Sequence, residues 1–86
     1  LNQPIMMTQN PLNGDLIVAN QLDNNLVEIT TGGQLVATKT VDSAVVNPTT
    51  GANSGLFGVA ATTDSAGNLM VYFTDDNDNT VKKLSL

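Results

Sequence analysis

Eighty-six residues with a net charge of −5 and 41% hydrophobic content allow one small domain and no more. The absence of Cys and His excludes a disulfide framework, a thiolate or imidazole zinc site, a Ser-His dyad and a physiological-pH switch. Three lysines (Lys39, Lys82 and Lys83) and no Arg leave no basic field for nucleic acid, and the acidic balance opposes docking on anionic membranes.

The hydrophobic pattern reads as strand throughout, with almost no helix. Pro4 to Gln9 is the first segment, closed by the turn cluster Asn10-Pro11-Leu12-Asn13-Gly14. Asp15 to Asn20 is the second, and Leu26 to Thr30 the third, after Asp23-Asn24-Asn25. Thr31-Gly32-Gly33 predicts a tight hairpin into a fourth strand, Gln34 to Val41, because Gly supplies the positive φ such turns need. Asp42 to Gly55 reads as a loop, followed by strands at Leu56 to Thr62, Leu69 to Thr74 and Thr80 to Ser85. Charged residues make up 13%, about half the usual ~25%. Eleven Asn and eleven Thr replace them, which suits a turn-rich all-β protein and a secreted or periplasmic setting. No apolar run approaches the roughly 18 residues of a membrane span. The chain opens on Leu1 and shows no signal peptide, as a processed product or an excised fragment would.

An internal repeat organises these segments. An offset of 53 residues places Gly14-Asp15-Leu16-Ile17-Val18 on Gly67-Asn68-Leu69-Met70-Val71, and Ile5-Met6-Met7 on Gly58-Val59-Ala60. One extra residue in the second copy then places Asn24-Asn25-Leu26-Val27 on Asp78-Asn79-Thr80-Val81. A repeat of three or four antiparallel strands joined by short turns is the pattern of a β-propeller blade. The expected units are a four-strand blade at 1–42, an inter-blade loop at 43–55, and a three-strand blade at 56–86 that lacks its outer strand. A seven-stranded β-sandwich is the alternative.

The run Leu56-Phe57-Gly58-Val59-Ala60, then Asp64-Ser65-Ala66-Gly67-Asn68-Leu69-Met70-Val71, then Asp75, Asp76, Asn79, Val81 and Leu84, resembles an NHL-type repeat. The first copy matches through Asn13-Gly14-Asp15 and Asn25-Leu26-Val27-Glu28-Ile29, but has Ile5-Met6-Met7 in place of Gly-Val-Ala. The family's frequent Arg after Asn is missing, with Leu26 and Thr80 there instead. The resemblance implies a propeller of several blades around a channel, so that two blades need further blades from the same protein or from identical copies. Three copies would make six blades. It also brings in propeller enzymes, lyases and Ca²⁺-dependent lactonase-like hydrolases, as an alternative to a non-catalytic binding or scaffolding module. A structural subunit of an extracellular assembly is a further alternative.

Chemical candidates are few. Asp75, Asn77 and Asn79 form an oxygen-rich run suited to Ca²⁺, which takes six to eight oxygen ligands. The run lacks the Gly of a calcium loop at position 80 and has no Glu after it. The same residues read more simply as a turn, as Asp23-Asn24-Asn25 does in the first copy. Glu28, the one Glu, alternates with Val27 and Ile29 and is expected to face solvent. Met6, Met7 and Met70 read as gap-filling packing, and Tyr72-Phe73 as inter-blade core. No phosphate-binding glycine motif occurs, and no Ser or Thr has a His or Lys partner nearby in sequence.

Overall fold

The computed structural model describes residues 4–47 and 49–85. Residues 1–3, Pro48 and Leu86, which the expected units include, lie outside the described residues. The described chain is all-β and contains no helix. Its strands are β1 (Pro4–Gln9), β2 (Leu16–Asn20), β3 (Asn25–Ile29), β4 (Leu35–Thr40), β5 (Leu56–Thr63), β6 (Leu69–Asp75) and β7 (Thr80–Ser85). They form two antiparallel meanders, a four-stranded sheet in the order β1-β2-β3-β4 and a three-stranded sheet in the order β5-β6-β7. Each strand sits within a residue or two of its expected place, and the expected loop at 43–55 holds no strand among the described residues.

Turn chemistry explains why the strands end where they do. Gly14 and Gly67 take φ of 80° and 83° at the β1–β2 and β5–β6 turns, a region that favours glycine. In the same two turns Asn10 Oδ1 accepts from Leu12 N and Asp64 Oδ1 from Ala66 N, each at 2.9 Å. The β2–β3 and β6–β7 turns each end on an Asn in the left-handed region, Asn24 and Asn79, both at φ 56°. Even the first strands match: the register of β1 slips between Pro4 and Met6, and that of β5 between Leu56 and Val59.

These matched features correct the sequence alignment. Asn20 pairs with Asn25 across one turn and Asp75 with Thr80 across the other, so Asn24 is the counterpart of Asn79 and not of Asp78. Two extra residues lie in the second copy, in β6, where the sequence alignment has one. The physical reason is the period of a strand. Two residues preserve which face each side chain takes, whereas one would turn the rest of the sheet inside out. Register likewise places Met6 opposite Ala19 and Ala60 opposite Tyr72, shifting the β1 alignment by one residue.

The core lies between the two sheets. Ile17, Ala19 and Leu26 come from one face of the first sheet. Leu69, Val71 and Phe73 come from one face of β6, joined by Leu56 and Val59 of β5. Both a sandwich and a pair of stacked blades have this two-layer form. Along β2 the opposite face carries Leu16, Val18 and Asn20. Along β6 the opposite face carries Met70, Tyr72 and Thr74. The repeat therefore packs asymmetrically. Val18 corresponds to Val71, yet Val71 faces the core and Val18 faces away from it. We name the face of Ile17 the leading face and the face of Val71 the trailing face. The leading face of the first sheet covers the trailing face of the second; the other two faces lie outside this core, although Val18, Val27 and Met70 on them are buried as well.

Candidate functional site

The densest polar arrangement sits where the β2–β3 turn, the lead-in to β5 and the β6–β7 turn meet. Asn24 is fully buried there. Its Nδ2 donates to Asn53 O at 2.9 Å, and its Oδ1 accepts from Gly55 N at 2.8 Å and Leu56 N at 3.4 Å. Its own carbonyl accepts from Val41 N at 3.1 Å. One side chain thus joins the first sheet to the first strand of the second. From the other side, Asn77 Nδ2 donates to the same Asn53 O and to Asp42 Oδ2, both at 2.8 Å. Asp76 N donates to Gly55 O at 2.7 Å.

Gly55 is required by this convergence. A side chain there would run into Asp75 Oδ1 and would lie 2.6 Å from Asn77 Nδ2. Asp75 is sealed beneath it, 1% exposed, and accepts from Asn77 N at 3.0 Å. Burial is the first cause that raises the Asp75 carboxyl above its ordinary 3.8, and its hydrogen bond to Asp42 is the second. Asp42 moves the opposite way, held down first by the Asn77 amide and then by Ala44 N. The two carboxyls act as a pair in which Asp75 holds the proton more readily. Lys82 Nζ lies 3.5 Å from Asp75 Oδ2 but only 2.7 Å from Asp78 Oδ2, so its charge is spent mainly on Asp78. That contact lowers Asp78 and raises Lys82.

Of the calcium candidates, the structure brings Asp75 and Asn77 together and leaves Asn79 apart. Asp75 closes β6, Asn77 turns its amide into the junction, and Asn79 stands exposed at the end of the turn. The oxygens of Asp42 and Asn53 converge on the Asn77 amide nitrogen, which donates to both. Among the described residues, no three His, Cys, Asp or Glu side chains are grouped so as to hold a metal ion.

Other candidates resolve differently from their sequence reading. Glu28 is half-buried, and its carboxylate accepts from Asn10 Nδ2 and Asn13 Nδ2, each at 3.4 Å, bracing the β1–β2 turn. Phe73 is core, but its neighbour Tyr72 falls on the outward leading face and is 40% exposed. Met70 is buried, whereas Met6 and Met7 of the edge strand β1 are exposed. A cavity of about 50 Å³ between the sheets, lined by Ile17, Leu26, Val71 and Leu84, is far below the roughly 300–1,000 Å³ of small-molecule pockets. Asn24, Asp42, Asn53 and Gly55 were not singled out from sequence. The one available signal was the paired Asn of the two turns.

No protein-family model matches the chain, and no curated protein matches it. No helix of the described residues is long and apolar enough to cross a membrane.

Proposed function

We propose that the chain is a non-catalytic binding or scaffolding module, two successive units of an NHL-like β-propeller completed by further units or by oligomerisation. The observation that supports this reading most is the asymmetric stacking of the two repeats. Unlike faces meet at the internal junction, so a used leading face and a used trailing face leave one unused face of each kind outside. Contacts of that kind add units in one rotational direction and close into rings when the rotation allows. Both outward faces carry apolar ground suited to a neighbour. Tyr72, Val81 and Ala60 of the second sheet border a shallow groove of about 310 Å³, to which Met6 of β1 also contributes. On the first sheet, Ile5, Met7 and Val18 border another, of about 410 Å³. Patches of this kind on a soluble chain mark interaction surfaces.

The absence of an activated group among the described residues leaves binding as the simpler reading. The Asp42 and Asp75 carboxyls are engaged in the junction, and Glu28 in its turn. The low charge and the scarcity of Lys go with an extracytoplasmic setting. Light scattering coupled to size exclusion, over a wide concentration range, tests the proposal. A mass well above 9.0 kDa that falls on dilution is expected. A monomer at every concentration overturns it.

A further inference from the structure

The two sheets are unequal, and the inequality leaves a slot. Four strands of the first sheet lie over three of the second, and the sheets approach closest along β1, β2 and β5. The leading face of the first sheet is sealed at Ile17, Ala19 and Leu26 but not at β4. Lys39 stands opposite Leu26 and Ala37 opposite Glu28, so both share that face, and both are exposed. On the second sheet Leu84 stands opposite Val71 and so lies on the trailing face, half-buried at the margin of the core. Ala37 and Lys39 of β4 and Leu84 of β7 line the same cavity between the sheets, so β4 overhangs the free edge of β7.

Backbone and charge both mark this slot. β7 has β6 on one side only, which leaves alternate N–H and C=O groups of its other edge without a strand to bond. All three lysines of the chain lie on the two strands that border the slot, Lys39 on β4 and Lys82 and Lys83 on β7, although the net charge is −5. The eight acidic residues all lie outside β4 and β7. Lys82 is engaged by Asp78 at 2.7 Å, whereas Lys39 and Lys83 form no ion pair among the described residues. Lysines on an edge repel a cationic strand and leave an uncharged one with nothing to match them, so an acidic strand is the neighbour they favour. A second copy cannot supply one, because the edge strands β1, β4, β5 and β7 carry no carboxylate.

We infer that the free edge of β7 is a strand-addition site for an extended acidic peptide segment, which becomes the fourth strand of the second sheet beneath β4. Backbone pairing with β7 supplies affinity, and side chains alternating between the two faces supply selectivity. On the face toward β4, a carboxylate meets Lys39 and an apolar side chain two residues away covers Ala37 and Leu84. On the opposite face a second carboxylate meets Lys83, which lies beside Tyr72. The inference rests on the binding part of the reading above and not on its self-association, so the two fail separately.

The test titrates the dilute chain with the capped peptide Glu-Glu-Val-Val-Glu-Glu-Val, which puts carboxylate and apolar side chains in turn on each face, and with its counterpart carrying Lys for Glu. Backbone nitrogen–proton NMR signals and amide exchange are followed. The glutamate peptide is expected to shift the β7 amides together with those of Ala37 and Lys39, saturably, and to slow solvent exchange at alternate β7 amides. The lysine peptide should do neither. Lys39→Glu, at an exposed position, should weaken binding about 5-fold. Should that variant not fold, salt decides in its place: affinity for the glutamate peptide that holds constant from about 50 to about 500 mM salt overturns the inference. No binding, shifts confined to other strands, or binding without exchange protection, as charge alone would give, also overturns it. So do β7 signals that move with chain concentration when no peptide is present, since a second copy then fills the slot. A chain that binds the glutamate peptide in this way but never self-associates keeps the ligand site and overturns only the completion of the module by further copies.

Discussion

The β2–β3 turn and the β6–β7 turn are built from the same parts, yet one is a joint and the other an open end. Both hold an Asp ahead of a left-handed Asn. Asp23 Oδ1 accepts from Asn25 N at 3.1 Å, while Asp78 Oδ1 accepts from the Thr80 hydroxyl. The difference is what lies across the turn. Asn24 meets the lead-in to β5, and its side chain makes three hydrogen bonds there. Asn79 meets nothing of the described chain. Local sequence sets the turn, and only the neighbouring sheet decides whether the turn also carries stability.

The largest expected effect comes from the two trailing faces. Phe73→Ala, on the covered face, should lower the free energy of unfolding by about 3–5 kcal/mol, since it removes a large buried ring from the core. Met7→Ala, on the open face and 61% exposed, should stay within about 0.5 kcal/mol. Equal effects in urea denaturation of the dilute chain would break the comparison. Next comes the asparagine pair. Asn24→Gly keeps the backbone conformation but leaves Gly55 N–H without its partner, while Asn53 C=O keeps only Asn77, at a cost of about 1–3 kcal/mol. Asn79→Gly in the dilute chain is the control and should move the midpoint little.

The smallest effect concerns acid. The counterpart of Asp75 in the first sheet is Asn20, also buried, with no hydrogen-bond partner for its Oδ1. Burial raises the Asp75 carboxyl, so its contribution is fully present below the ordinary 3.8 and is lost as pH rises through its folded value. Asp42, held low, contributes in the opposite sense: its share is present above 3.8 and is lost as pH falls through its folded value. Asp75→Asn should therefore abolish the decline in thermal stability that Asp75 causes on the way from about pH 3 to about pH 7. A melting profile that keeps its slope would show that the pair does not govern it.

Much of the fold was legible in sequence because strands of alternating residues were punctuated by Gly, Asn and Asp. The turns at Gly14, Gly33 and Gly67 could be placed to the residue, each with positive φ. The repeat was visible, but its register was not. Identity drew Asn24 onto Asp78, while hydrogen-bonded pairing aligns Asn24 with Asn79. The junction was hidden for a different reason. Asn24, Asp42, Asn53, Gly55 and Asn77 are scattered over more than half of the chain, and no periodicity links them. Exposure of Met6 and Met7 was equally out of reach, since sequence gives a strand's faces but not what lies against them. Asp75 was marked as an oxygen donor, and its burial beneath Gly55 was not foreseeable from the run of acidic and amide residues around it.

The length difference between β2 and β6 has a consequence for how such a chain can vary. The turns before these strands differ by a single residue, closing from Asn10 to Asp15 in one case and from Asp64 to Asn68 in the other, without disturbing either sheet. Inside the strands the difference is two. Insertions and deletions within β2, β3, β6 or β7 should accordingly survive only in even numbers, while odd ones accumulate in the loops. A lineage of such chains would then carry a parity rule written into its indels, readable from lengths alone even after the side chains have drifted beyond recognition.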